Sequence, residues 1–259
     1  MMQQNDYTKM KRYHLLDNIR GITLLSMIAY HGTWDLVYLY GVDWKWYEGT
    51  GAYIWQQSIC WTFILLSGFC WSLGKKPIKR GLYVFGGGVI VTLVTLIFMW
   101  DNRVIFGILT LLGSCMLLMV LLDKIFRKFI PEWGLFFSIA FFVLTRNCNR
   151  GYLGFEKWNL FALPQSLCRG ILPTYLGFPA PDFFSTDYFS IIPWMFLFWG
   201  GYFIYQIFKK RNWMERLLDV GKWPVVNFLG RYSLVIYLLH QPVLYLLCEV
   251  WNFVMNILL

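Results

Sequence analysis

Apolar residues fall in seven long runs, and polar residues are largely confined to the gaps between them. The runs cover residues 16–36, 51–73, 82–100, 105–122, 133–145, 188–208 and 231–258. Most approach the ~20 residues that carry a helix across a ~30 Å hydrocarbon core. The pattern predicts an all-α, polytopic membrane bundle of seven transmembrane helices. The fifth run is short for a full crossing and is expected to tilt or to thin the bilayer locally. Pro193 lies inside the sixth, where it is expected to kink the helix or free a carbonyl. Residues 146–187 mix polar and apolar positions and hold Pro164, Pro173, Pro179 and Pro181. They are expected to form an external loop that dips into the membrane or lies across its mouth as a lid.

The gaps carry an asymmetry of charge. Sixteen lysines and arginines fall on one proposed side, six on the other, and Arg20 lies inside the first run. The basic side includes Lys75, Lys76, Lys79 and Arg80, so the bias predicts a cytoplasmic N-terminus and an external C-terminus. Residues 1–12 then form a cytoplasmic N-terminal segment, and 13–259 a single transmembrane domain. Composition agrees: 58% of residues are hydrophobic, 20% aromatic and 14% charged, with a mean hydropathy of +0.50. The net charge of +9 is accounted for by insertion topology and implies no nucleic acid.

The first run contains an arginine, two aspartates and a histidine, with no small-residue cleavage site after it. It is therefore expected to stay as a span in a multi-pass plasma-membrane protein. Among the cysteines, Cys60, Cys70, Cys115 and Cys248 read as small packing residues. Cys148 and Cys168 flank the external loop, and whether they pair is open. No pair has metal-ligand spacing, so no metal is expected. No internal repeat is apparent, which weighs against a transporter built from duplicated halves.

Ionisable groups inside a span are costly enough to need a partner or a task. Asp17, Arg20, His31 and Asp35 fall within one quadrant of the first helix. Asp17 and Arg20 are expected to pair at the cytoplasmic opening. His31 lies about 21 Å further along, and Asp35 follows within reach of an i,i+4 contact that would orient the imidazole as a general base. The alternative is that His31 and Asp35 only support helix packing at the membrane boundary. In the last run Ser233, Tyr237, His240 and Gln241 share a face near Pro242. His240 either satisfies the broken ladder there or lines a substrate channel.

The segments LDNIRGITLLSMIAYHGTWDL, FILLSGFCWSLGKKPIKRG, IFGILTLLG, DYFSIIPWMFLFWGGYF and GRYSLVIYLLHQP occur in this order along nearly the whole chain. Together they resemble the bacterial members of the heparan-alpha-glucosaminide N-acetyltransferase catalytic-domain family. The resemblance implies a transmembrane acetyltransferase that takes acetyl-CoA from the cytosol as co-substrate and meets an amino-sugar or glycan acceptor on the far side. On that reading His31 is the base and Asp35 its orienting partner. Lys75, Lys76, Lys79, Arg80 and Arg231 are candidates for the coenzyme A phosphates, although insertion topology alone also explains such cations. Gln56, Gln57 and Asn102 are candidate oxyanion donors, and Asp187 a candidate for the acceptor amine or a helix cap. Two alternatives stay open: O-acetylation of a cell-surface glycan, and transport of a small molecule or lipid-linked sugar without acyl transfer. Membrane lipids are expected partners, and a homo-oligomer is left open.

Overall fold

The computed structural model describes residues 13–218 and 223–258, without the side chains of 255–258. The expected cytoplasmic segment 1–12, and Lys222 of the charge count, lie outside the described residues. In chain order the helices are α1 (His14–Tyr38), α2 (Thr50–Trp71), α3 (Pro77–Phe98), α4 (Ile108–Phe126), α5 (Pro131–Thr145), α6 (Ile171–Leu176), α7 (Ile191–Lys210), α8 (Pro224–Arg231) and α9 (Ser233–Leu258). Strands β1 (Tyr152–Phe155) and β2 (Trp158–Ala162) lie between α5 and α6. Proline opens α3, α5 and α8, the position where its missing N–H leaves no hydrogen bond unmade.

Among the described residues, four helices are long and apolar enough to cross a membrane: α3, α4, α7 and the stretch Ser233–Val254 of α9. The chain is therefore a helical membrane protein. Of the other helices in the seven-run pattern, α1 and α2 are as long but more polar, and α5 has 15 residues.

The chain divides into two compact units, one made of the residues up to Tyr40 and from Lys209 onward, the other of Gly41–Phe208. In the first unit α1 packs on α8 and α9. Backbones meet where side chains are missing. A Cβ on Gly21 would strike the Val226 carbonyl, and one on Gly230 the Asp17 carbonyl, so this crossing depends on glycine. Further along, α9 runs beside α1, with Gly32 facing Leu244 and the Tyr40 hydroxyl donating to Glu249 Oε1 at 3.0 Å.

The second unit is built on two close helix pairs. Gly88 of α3 lies against Thr110 of α4, and Gly113 of α4 against Phe85 of α3. Gly68 of α2 meets the Phe198 carbonyl of α7, and Gly201 of α7 meets the Leu65 carbonyl of α2. Ile64, Leu111, Cys115, Met119, Leu197 and Tyr202 are buried between them. Helix α7 departs from helical geometry at Ile192, immediately before Pro193, as the residue preceding a proline is driven to do.

Two expectations are modified in this unit. The fourth run begins as a helix only at Ile108, because residues 104–107 are tied down in a bend, with Phe106 in the left-handed region. The Ile105 amide donates to Ser185 Oγ at 2.9 Å, and the Phe189 amide to the Phe106 carbonyl at 2.8 Å. The proline-containing segment 146–187, expected as a loop or lid, contains secondary structure. It contains an antiparallel hairpin in which Tyr152 pairs with Ala162 and Phe155 with Trp158. Buried Asn147 anchors it, its Nδ2 donating to the Glu156 carbonyl at 2.9 Å and to Asn159 Oδ1 at 2.9 Å. Cys148 and Cys168 are both free thiols. Cys148 is buried and lies 3.5 Å from the Ile192 carbonyl.

Candidate active site

In the first unit the polar face of α1 meets the polar face of α9. The rings of His31 and His240 lie 5.0 Å apart between centroids, tilted by 55°. One turn further along α1, Asp35 is completely buried, and its Oδ1 accepts a 2.6 Å hydrogen bond from Gln241 Nε2. The expected i,i+4 contact between Asp35 and the His31 imidazole is replaced by these two contacts across the helices. The physical reason is reach: Gln241 Nε2 lies within hydrogen-bonding distance of the carboxyl across the helix crossing, and a buried polar group takes the donor that reaches it. Among the described residues, Asp35 Oδ2 and His240 Nε2 are buried with no hydrogen-bond partner.

His240 also defines its own tautomer. Its Nδ1 lies 2.5 Å from the Tyr237 carbonyl, and a carbonyl only accepts, so Nδ1 carries the proton and Nε2 presents a lone pair. The Tyr237 ring stands 5.3 Å from that of His240, and Ser233 opens α9 on the same face. The helix continues through Pro242. Nearer the start of α1, Arg20 Nη1 is 3.6 Å from Asp17 Oδ1.

The other sequence candidates lie in the second unit, apart from Arg231, which is on α8 of the first and exposed. Lys75 and Lys76 are exposed in the turn before α3, Lys79 stands 5.4 Å over the Tyr83 ring, and Arg80 Nη1 donates to the Trp71 carbonyl at 3.4 Å. Asn102 closes the turn between α3 and α4, its carbonyl accepting from Thr186 Oγ1 at 3.1 Å. The carboxyl of Asp187 points at the start of α4, with Oδ2 3.5 Å from the Ile108 amide. Burial pushes its pKa up to about 6, the Ile108 amide opposing the shift.

Gln57 belongs to a cluster that the sequence reading does not anticipate. Its Oε1 accepts from Arg146 Nη2 at 3.0 Å and from Trp61 Nε1 at 3.1 Å. Gln56 Oε1 is 3.5 Å from Gln57 Nε2. Arg146, counted in sequence as a cation of the external loop, is buried at the end of α5. It pairs with Glu156 Oε1 at 3.2 Å, donates to the Tyr53 hydroxyl at 3.1 Å and covers the Trp194 ring at 4.9 Å. The hint in sequence is an arginine at the end of an apolar run with a glutamate ten residues on. Only the hairpin brings the two together. Among the described residues there is no group of three or more His, Cys, Asp or Glu side chains able to hold a metal.

Helices of membrane-crossing length, with a histidine pair beside a buried carboxyl in one unit, define a helical membrane protein. The chain matches the model for heparan-alpha-glucosaminide N-acetyltransferase, catalytic, over residues 12–242. It belongs to that family and is a membrane acetyltransferase by membership. No curated protein and no solved structure matches the chain.

Proposed function

We propose that the chain transfers an acetyl group from acetyl-CoA supplied by the cytosol to an amino-sugar acceptor on the extracytoplasmic side of the plasma membrane. The observation that carries this reading is the meeting of His31 and His240 next to the Asp35–Gln241 hydrogen bond. The acceptor nitrogen attacks the thioester carbonyl, a C–N bond forms, and the C–S bond breaks with sulfur leaving as thiolate. His31 takes the proton released by the nitrogen, a role that in general is worth about 10²–10⁴ in rate. The proton is then returned to the departing thiolate, so the site ends in its starting state.

His240 supports this step through its free Nε2, which gives the proton a second acceptor beside His31. Asp35 and Gln241 act as positioning residues: their mutual bond holds α1 and α9 in register, and with them the two rings. Lys75, Lys76, Lys79, Arg80 and Arg231 are the candidate contacts for the coenzyme A phosphates, as cations suited to phosphate oxygens. Asp187, with a carboxyl partly protonated near neutral pH, is the candidate for the acceptor's amine. In this proposal α1, α2 and α5 complete seven crossings, with the N-terminus in the cytoplasm.

The test is purified protein with radiolabelled acetyl-CoA and a panel of glucosamine-type and hydroxyl acceptors. N-acetylated glucosamine is the expected product. Label found only on hydroxyl acceptors would reassign the acceptor class, and no turnover or coenzyme A binding with any of them would return the chain to the transporter reading.

A further inference from the structure

Helix α5 has 15 residues, so it rises about 22 Å, well short of a ~30 Å hydrocarbon core. The hairpin that follows continues its apolar surface. Trp158, Leu160 and Phe161 are 76%, 60% and 70% exposed, far more apolar side chain than a strand facing water ordinarily shows. Between hairpin and helix runs a groove of about 600 Å³. Ile139, Val143 and Leu144 form one wall, and Phe155, Trp158 and Leu160 the other. No charged or polar side chain lines it. Its volume falls in the roughly 300–1,000 Å³ range of small-ligand sites.

We propose that this groove holds one acyl chain of a membrane glycerophospholipid, with the hairpin lying at the headgroup level of the bilayer. Three observations select a lipid. The wall formed by α5 is continuous with that helix's outer face, where Trp133, Phe136, Phe137 and Phe141 are exposed, a surface that the hydrocarbon of a bilayer covers favourably. A two-stranded sheet has two unpaired edges, which are not tolerated inside hydrocarbon but are hydrated at the interface. Tyr152 and Trp158 on the strands, with Arg150 and Lys157 beside them, are the residue types that settle at that boundary. The groove runs along α5 from Leu135 to Leu144, or about 14 Å, which suits an extended chain better than a compact ligand. A bound chain also completes the apolar cover that the short helix leaves unfinished. The inference rests on the membrane character of the chain and not on acetyl transfer.

The experiment uses the full chain in phospholipid nanodiscs, with a benzophenone amino acid introduced separately at Ile139, Trp158, Leu93 and Lys45. Leu93, exposed on α3, reports ordinary surrounding lipid, and Lys45 is the aqueous control. Irradiation is expected to add one phospholipid mass at positions 139 and 158 and none at 45. After extraction into mild detergent the adducts at 139 and 158 should persist while that at 93 is lost, because surrounding lipid exchanges away. Filling the groove with Ala140→Trp should reduce the adduct at 158 to background and leave that at 93 in nanodiscs intact. The proposal is overturned if position 158 couples only to a second copy of the chain, or to nothing while 93 couples to lipid. It is equally overturned if Ala140→Trp in a protein that still elutes as a single species leaves the adduct at 158 unchanged.

Discussion

The hydrogen bond between Gln241 and Asp35 allows a sharp test of how α1 and α9 are held together. Asp35 has no exposed surface, and Gln241 Nε2 at 2.6 Å is its hydrogen-bond donor. Gln241→Leu preserves the bulk of the side chain and removes the donor, leaving a buried carboxyl with neither partner nor water. A hydrogen bond to a charged group contributes about 1.5–3 kcal/mol, and stranding the group costs at the upper end of that range or more. For a chain of this size each kcal/mol moves the midpoint by roughly 2–4 °C, so thermal unfolding of the detergent-solubilised protein should shift down by about 6–12 °C. The double variant Asp35→Leu with Gln241→Leu removes donor and acceptor together and should recover most of that loss, because neither polar group remains stranded. If Gln241→Leu melts with the parent, or if the two substitutions simply add, the bond does not organise this seam and the placement of both histidines loses its support.

Other consequences follow from single contacts. Gly68→Val would drive a Cβ into the Phe198 carbonyl, a backbone atom that cannot rotate aside. The α2–α7 crossing should open, seen as loss of a monodisperse peak in size-exclusion chromatography, whereas Gly51→Val, in open space at the start of α2, should elute like the parent. Arg146→Leu removes the cation from part-exposed Glu156, which keeps the Tyr53 hydroxyl, and takes the donor from Gln57, and should cost about 1.5–3 kcal/mol, the range of a hydrogen bond to a charged group. Limited proteolysis should then cut within residues 150–162, a region intact in the parent. Asp187 predicts a pH dependence. Its folded pKa of about 6 lies above the ordinary 3.8, so its favourable contribution is complete below the unfolded value and is lost as pH rises through about 6. Melting temperatures should therefore fall between about pH 4 and pH 7 in the parent, and Asp187→Asn should flatten that slope.

Helical periodicity made the polar stripe of α1 legible, since Asp17, His31 and Asp35 recur at intervals that a single helix places on one side. The same reasoning put Tyr237, His240 and Gln241 on one side of α9. It could not bring the two stripes together, because which turn of α9 faces His31 depends on the close crossing of α1 with α8 at Gly21 and Gly230, and no local pattern encodes that register. Sequence proximity points Asp35 to His31, four residues away, whereas the donor that reaches it is Gln241, 206 residues later. The hairpin escaped for a different reason. WNLFA has no alternation of buried and exposed positions, which is the signal that marks a strand with one face in a protein core. Arg146 then looked like a loop cation, because the hairpin is what carries Glu156 back to it.

The most direct test of the central claim is acetyl transfer from radiolabelled acetyl-CoA to glucosamine by the purified protein, compared with His31→Ala. The account predicts that His31→Ala, folded as judged by an unchanged melting temperature, loses turnover by about 10²-fold or more, while His240→Ala retains a measurable fraction. Full turnover in His31→Ala, or its loss only in His240→Ala, would remove His31 from the chemistry and contradict the account.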